Sequence, residues 1–385
     1  MKILKLLAAS SLLICTLSAC GGGGGGTTTG GTDTVVSGVA TKGPFLQDST
    51  VNVYAVANGV KGALLVQAKT SDNNGSYSAN LGSYTGPVIV EVSGTYQDEA
   101  TGGTVTVADT APIRAALPLV QGSVTLPVTP LTELAVQKTG GSLSAADITA
   151  ANTLVSEIFK VDIVATLPVA PTAVALSGAT QAQKDYTLAL AAVSQMASQA
   201  AGASDTEKLQ SALADLSQGI SATGMNTTVS TTFQGALTDF VANPNNQTGV
   251  SDTTSTSLVN AGTLSKSYTL SLSGNASAAQ AIQFDLVLPQ GVTVNTDSLN
   301  SSLLAGSLAM HEAYTGALVA ARYTSGTVTV GIVSTPGVST GAFATITCNI
   351  PAGTTAPAAS AFSVSNLTVL DASENPLSGV AVQIN

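Results

Sequence analysis

Tryptophan is absent from this 385-residue chain, histidine occurs once, and charged side chains make up only 9% of it. Each shortage removes a class of chemistry. One histidine cannot build a histidine-based zinc site. A serine–histidine–aspartate triad would have to use His311. Aromatic residues are 4% of the chain, so a sugar-cleaving cleft with stacking platforms is a poor fit, even though paired carboxylates could run such a reaction. Basic residues number 12 against 22 acidic ones, a formal net charge of −10. That balance leaves no basic footprint for nucleic acid or an anionic lipid surface. With so few charges, the surface must be built mostly from Ser, Thr, Asn, Gln and Gly.

Cysteine is scarce as well: Cys15, Cys20 and Cys348. Lys2 and Lys5 precede an apolar run from Leu6 to Leu17. The run is short of the roughly 20 residues a membrane span needs and has the length of a signal h-region. Leu17-Ser18-Ala19-Cys20 follows, and then six glycines. This stretch resembles the lipobox of bacterial lipoproteins. The resemblance implies cleavage before Cys20 and acylation of Cys20. The mature chain is then exported and tethered to a bilayer, with several acyl chains holding it where one would hold weakly. Gly21 in place of Asp after that cysteine implies the outer membrane, if the cell has two. Loss of Lys2 and Lys5 takes the formal charge to −12. Only Cys348 then remains free, so no intramolecular disulfide forms. It sits in the alternating run Ala344–Ile350, which places it as a small buried hydrophobe.

The organisation expected is a leader at 1–19, a Gly/Thr-rich tether at 20–34, a β-sandwich at 35–127, a helical domain at 128–245, a linker at 246–263 and a second β-sandwich at 264–385. The fold class is multidomain α+β. Thr50–Val56 alternates as a half-buried strand does, Asn58-Gly59 marks a turn, Ala63–Ala68 follows, and Asp72-Asn73-Asn74-Gly75 marks the next turn before Ser76-Tyr77-Ser78. Pro87–Val92 is a further strand. Val36–Ala40, Val51–Tyr54 and Thr70–Tyr77, with an Asp-x-x-Gly-x-Tyr turn, resemble the carboxypeptidase regulatory-like domain. That implies a prealbumin-like sandwich over roughly 35–95. Gly94–Gly102 and Val128–Ala135 are similar to segments of bacterial surface lipoproteins.

From about residue 129 the period changes to that of helices. Ser144 caps a helix carrying Ile148, Ala151, Val155, Ile158 and Phe159 on one face. Residues 180–201 read as a long Ala-rich helix with Tyr186, Leu190, Val193 and Ala197 on one face and Gly202 as its stop. Ser204-Asp205-Thr206-Glu207 reads as a capping box ahead of Leu209, Leu213, Leu216 and Ile220. A fourth helix near 229–242 carries Phe233, Leu237, Phe240 and Val241. Strand alternation returns at Tyr268–Leu272, Ile282–Leu288, Val328–Ile332, Phe343–Ile350 and Val380–Ile384. Ala281–Val292, Gly341–Ile346 and Leu370–Leu377 resemble strands and a turn of cohesin domains. The resemblance implies a docking or adhesive module.

Few residues suggest chemistry. His311-Glu312 lies between two strands with no nucleophile elbow in the chain, and a loop role suits it better than a general base. Asp98-Glu99, with Asp109 downstream, and Asp72-Asn73-Asn74-Gly75 are acidic loop segments of a kind that can hold calcium. Neither has the spacing of a complete calcium loop. The glycine run is no phosphate loop, since no Gly-Lys-Ser/Thr follows it. The expected work is non-catalytic binding, adhesion or assembly at the cell envelope, with a protein or polysaccharide ligand, no cofactor, and Cys20 as the lipidation site. An envelope hydrolase, or a purely structural spacer, is the alternative.

Overall fold

The computed structural model describes residues 33–253, 256–274, 279–296, 301–303 and 306–385; the leader and Cys20 lie outside them. The first part of the described chain is built from β1 (Val35–Val39), β2 (Thr50–Ala57), β3 (Val60–Lys69), β4 (Ser76–Asn80), β5 (Gly86–Gln97), β6 (Thr104–Val107), β7 (Ile113–Val120) and β8 (Ser123–Thr125). Asn58 and Gly59 both have positive φ, 52° and 75°. That geometry matches the twist of the β2–β3 hairpin they close. In the next turn Asp72 Oδ1 accepts from the N–H groups of Asn74 and Ser76. Gly75 there has φ 77°, and a Cβ would lie 2.0 Å from the Ala40 carbonyl oxygen, so no other residue fits.

These strands make two sheets. One has the order β3-β2-β5-β6, with β7 also paired to β5; the other has the order β4-β1-β8, and β1 runs parallel to β8. Val51, Val53, Val90 and Val92 of the larger sheet share one core with Val36 and Tyr77 of the smaller. On the opposite face, Ile89 and Ala116 pack against Val136, Leu143 and Ile148. The centre of β5 is therefore buried on both sides, and Val88-Ile89-Val90 is an unbroken apolar run for that reason.

Six helices follow among the described residues: α1 (Pro130–Lys138), α2 (Ala145–Phe159), α3 (Ala173–Ser177), α4 (Gln181–Gln199), α5 (Asp205–Gly219) and α6 (Thr227–Val241). A short hairpin of β9 (Ile220–Ser221) and β10 (Gly224–Met225) lies between the last two. Ser144 caps α2 through the Asp147 N–H, and the five apolar residues read from the sequence are buried. Three local expectations are corrected. Helix α4 ends at Gln199 with Ala200 extended, before Gly202 is reached. Ser204 accepts from the Glu207 N–H, but Glu207 Oε2 reaches back to the Ala203 N–H at 2.7 Å; the box is offset by one residue. Helix α4 is also buried on every side from Asp185 to Ala197, beyond the single stripe expected. Its small Ala and Ser side chains let neighbouring backbones approach all round.

Leu131, Tyr186, Leu213 and Phe233 of these helices belong to the same continuous core as the sheets. Phe159 and Phe233 meet edge to face with centroids 5.2 Å apart. In the Ser/Thr-rich stretch before the second sandwich, Leu258 and Ala261 join that core. Gln234 Nε2 donates to the Leu258 carbonyl at 2.6 Å, and Lys160 Nζ donates to the Thr263 carbonyl at 2.8 Å.

The last part holds β11 (Leu264–Ser273), β12 (Ala279–Val287), β13 (Leu308–Met310), β14 (Leu318–Thr324), β15 (Thr327–Val338), β16 (Gly341–Ile350), β17 (Ser363–Leu370) and β18 (Ala381–Ile384). They form sheets of order β13-β16-β11-β18 and β14-β15-β12-β17, packed on a separate core that includes Phe284, Phe343, Leu270 and Val330. The described fold is thus α+β, with sheets at both ends and helices between.

One polar contact ties the first sheets to the helices. Lys42, in the loop after β1, is buried. Its Nζ lies 2.5 Å from Asp98 Oδ2 and donates to Ser194 Oγ of α4 at 3.1 Å. Ser194 Oγ donates in turn to the Lys42 carbonyl at 3.0 Å. The ammonium also sits 4.8 Å from the centre of the Tyr96 ring, a cation–π distance. Burial works to neutralise Lys42, but Tyr96, Asp98 and Glu99 outweigh it and hold the ammonium above its ordinary pKa. Removing one partner of a buried pair strands the other, at a cost of about 3–5 kcal/mol. Lys42→Met is therefore expected to lower unfolding free energy by about that much in urea titrations, and Lys42→Met with Asp98→Leu to recover part of the loss. Equal stability of wild type and Lys42→Met would refute the clamp.

Candidate functional site

The two outer faces of the C-terminal sandwich differ in chemistry. On β11 and β16 the outward residues are hydroxylic: Ser267 pairs with Thr347 and Thr269 with Thr345, and the Ser267 and Thr347 hydroxyls are 3.0 Å apart. The face of the second sheet is graded instead. The pairings of β14, β15, β12 and β17 align Leu318, Val333, Ala281 and Leu370 in one cross-strand row. The next row is Ala320, Gly331, Gln283 and Thr368. The third carries Arg322, Thr329 and Asp285.

The apolar row is open to solvent, with Leu318 77% and Val333 52% exposed. Gly331 in the middle row has no positive φ, and a Cβ there would meet nothing closer than 4.0 Å. Neither backbone nor packing demands glycine at this point. A strand glycine marks a bulge, a bend or a place where another surface comes close, and the space over Gly331 is open. Depressions of about 380 and 650 Å³ lie over this face. Asp285 is tied down by Thr329 Oγ1 at 2.6 Å and Asn366 Nδ2 at 2.7 Å; these bonds hold its carboxyl below the usual range. Arg322 makes no ion pair with any described residue. The face thus offers an apolar strip, a flat gap and a free guanidinium in succession.

The residues singled out in the sequence fall elsewhere. Cys20 lies outside the described residues. Cys348 is fully buried in the second core, and burial pushes its thiol up to about 12. His311 precedes a single 3₁₀ turn at Glu312–Tyr314, and its Nε2 is 3.2 Å from Thr345 Oγ1. Thr345 rather than Glu312 is its partner. Asp109 accepts a short hydrogen bond from the Ser93 hydroxyl. Asp98 is the second half of the Lys42 clamp. Its Oδ1 accepts from the Ala100 and Thr101 N–H groups and the Thr101 hydroxyl. Burial opposes its ionisation, yet Lys42 keeps its carboxyl below the ordinary range. Asp72 is spent on its turn. Among the described residues no group of three or more His, Cys, Asp or Glu could hold a metal ion.

Glu99 is the exception to this satisfied pattern. It is buried, and Oε2 accepts no hydrogen bond. Burial pushes its carboxyl up to about 8; Lys42 pulls it down, and Asp98 adds to the rise. Sequence reasoning found the acidic pair but missed Lys42, because a lone lysine in Ala40-Thr41-Lys42-Gly43 carries no burial signal.

No protein-family model matches the chain. No curated protein matches it either. Among solved structures it is similar to a non-cellulosomal cohesin from the hyperthermophilic archaeon Archaeoglobus fulgidus, at 15% identity over 29% of this chain and 72% of that one, with a TM-score of 0.23. No helix among the described residues is long and apolar enough to cross a membrane.

A carboxyl raised in the fold is protonated there while the unfolded chain ionises. Stability from this group is full below its unfolded pKa of 4.5 and is lost as pH rises toward 8. Glu99→Gln is therefore expected to match wild type near pH 4.5 and to exceed it increasingly up to pH 8 in thermal unfolding scans. A constant difference across that window would show that Glu99 is not held neutral.

Proposed function

We propose that this chain is a non-catalytic docking module, exported and held at the cell envelope through acylated Cys20, that binds a protein on the outer face of β14-β15-β12-β17. The observation carrying this reading is the segregation within one sandwich. The outer face of β11–β16 is hydroxylic, whereas the other aligns Leu318, Val333, Ala281 and Leu370 in one row beside Gly331 and Arg322. Hydrophobic centres with polar margins and arginine are what recognition surfaces use. The partner this chemistry suits presents apolar side chains over the Gly331 gap and a carboxylate to Arg322. The cohesin-like segments read in the sequence point to the same kind of work. The prealbumin-like reading of 35–95 gives the first sheets a spacer or presenting role, and the tether raises them from the bilayer.

The test uses the mature chain as bait on an envelope extract, followed by identification and purification of the retained protein and titration calorimetry. Leu318→Asp, Val333→Asp and Gly331→Arg are each expected to weaken binding at least about tenfold, about 1.4 kcal/mol. Ser267→Arg, on the hydroxylic face, should leave affinity unchanged. Equal losses from Ser267→Arg, or no protein retained above a Leu318→Asp/Val333→Asp control, would overturn the reading.

A further inference from the structure

Among the described residues Cys348 is free and no disulfide ties the chain. The Lys42–Asp98 contact is placed to supply a different cross-link. It joins the loop after β1 to the end of β5, 56 residues apart. The lysine side chain is 1% exposed and the aspartate side chain 5%. An ion pair taken out of water recovers little net energy from its attraction. Passing one proton from Nζ to Oδ2 leaves a neutral amine facing a neutral acid. Groups held in this way react as if at an effective concentration of about 10⁵–10⁸ M, and exclusion of water favours condensation over hydrolysis.

The two oxygens of Asp98 are held differently. Oδ1 accepts from the Ala100 N–H at 3.0 Å, the Thr101 N–H at 2.8 Å and the Thr101 hydroxyl at 3.0 Å. Three donors on one oxygen draw electrons from Cγ and stabilise negative charge growing on that oxygen, as an oxyanion hole does. Oδ2 faces Lys42 Nζ at 2.5 Å. Ser194 Oγ accepts from Nζ at 3.1 Å, and the Tyr96 ring covers the amine at 4.8 Å. Glu99 Oε2 is buried without a hydrogen bond and lies beside Gly43, where a Cβ would be 2.7 Å from it. Lys42, Asp98 and Ser194 all act on this carboxyl. Burial pushes it up to about 8, so at neutral pH it has a proton to give.

We propose that Lys42 and Asp98 join through an amide bond, formed within the folded chain with Glu99 as its proton relay. Nζ passes one proton to Oδ2, and the freed electron pair attacks Cγ. The new C–N bond places negative charge on Oδ1, under its three donors. Glu99 gives its proton to the Oδ2 hydroxyl and takes one from the nitrogen. The C–Oδ2 bond breaks, an electron pair on Oδ1 restores the carbonyl, and water leaves. One ammonium and one carboxylate become one amide and one water. Glu99 ends unchanged, and no oxidant, reductant or co-reactant is needed.

The bond closes a loop that contains β2, β3, β4 and β5. It limits what the unfolded chain can explore, as a disulfide does, without using cysteine. Gly43 makes room for it. A Cβ at that position would lie 1.7 Å from the Gln97 carbonyl oxygen, so glycine lets the loop bring Lys42 up to the end of β5. The link shares no residue with the docking face, and its test is independent of that reading.

The experiment is peptide mapping by mass spectrometry of the full chain, denatured and digested with trypsin. An amide at Lys42 blocks cleavage after that residue. The expected product keeps Lys42 uncleaved and is joined to peptide 70–114, which holds Asp98 between the cleavage sites Lys69 and Arg114. Its mass falls short of the sum of the two peptides by one water. Glu99→Gln leaves Lys42 and Asp98 in place, and a cooperative thermal transition shows that the variant is folded. It should lower the linked fraction at least about tenfold after equal time. Asp98→Ala should release both peptides. Complete cleavage after Lys42 in the wild-type chain, with peptide 70–114 free, would overturn the proposal. Equal linking in folded Glu99→Gln would overturn the relay.

Discussion

The first two-thirds of the described chain depend on a charge placed where charge is costly. Lys42 reaches from a loop of the smaller sheet to Asp98 at the end of β5 and to Ser194 on α4. A lysine in that position holds only if every donor finds an acceptor. Asp98, Ser194 and the Tyr96 ring supply them. In a chain with so few charges, this pair sets the registry of sheet against helix in a way that Ala and Val surfaces could not. The helix it fastens is the most buried of the six. Small side chains let α4 sit deep, and the clamp fixes where along its length it sits.

The same economy shapes the C-terminal sandwich. Its interior follows from alternation alone, with Phe284 and Phe343 edge to face at its centre. Its two exteriors are separate matters. Hydroxyl ladders cover one sheet and need nothing further. The other leaves Leu318 and Val333 in water beside a strand glycine that no neighbour requires. Solvent exposure of that row is unfavourable for the isolated chain and becomes favourable when a partner covers it. The proposed docking role rests on this asymmetry between the two outer faces.

Much of this was legible in the sequence, and the reasons for the failures are physical. Periodicity located β2, β11, β12, β15 and β16, because half-buried strands alternate by necessity. Ser144 announced α2 through its side chain. Strands β13, β14 and β17 escaped notice: in β14, at the end of its sheet, even the core-facing Ala321 and Tyr323 are only partly buried, so Leu318–Thr324 has little contrast to read. The encirclement of α4 was hidden by alanine, which is equally at home on a stripe or throughout a core. Pairing across strands, which assembles the apolar row from four distant segments, is not encoded locally at all. The Lys42 clamp was missed for the same reason, since its partners lie 56 and 152 residues away.

The most direct measurement is site-specific photo-crosslinking in the native envelope. A benzophenone side chain would be placed in turn at positions 318, 320 and 333, and at 267 and 271 on the hydroxylic face. The docking account predicts one discrete protein adduct of the same size from all three positions on the graded face and none from the two controls. Adducts from both faces alike, or from the controls alone, would contradict it.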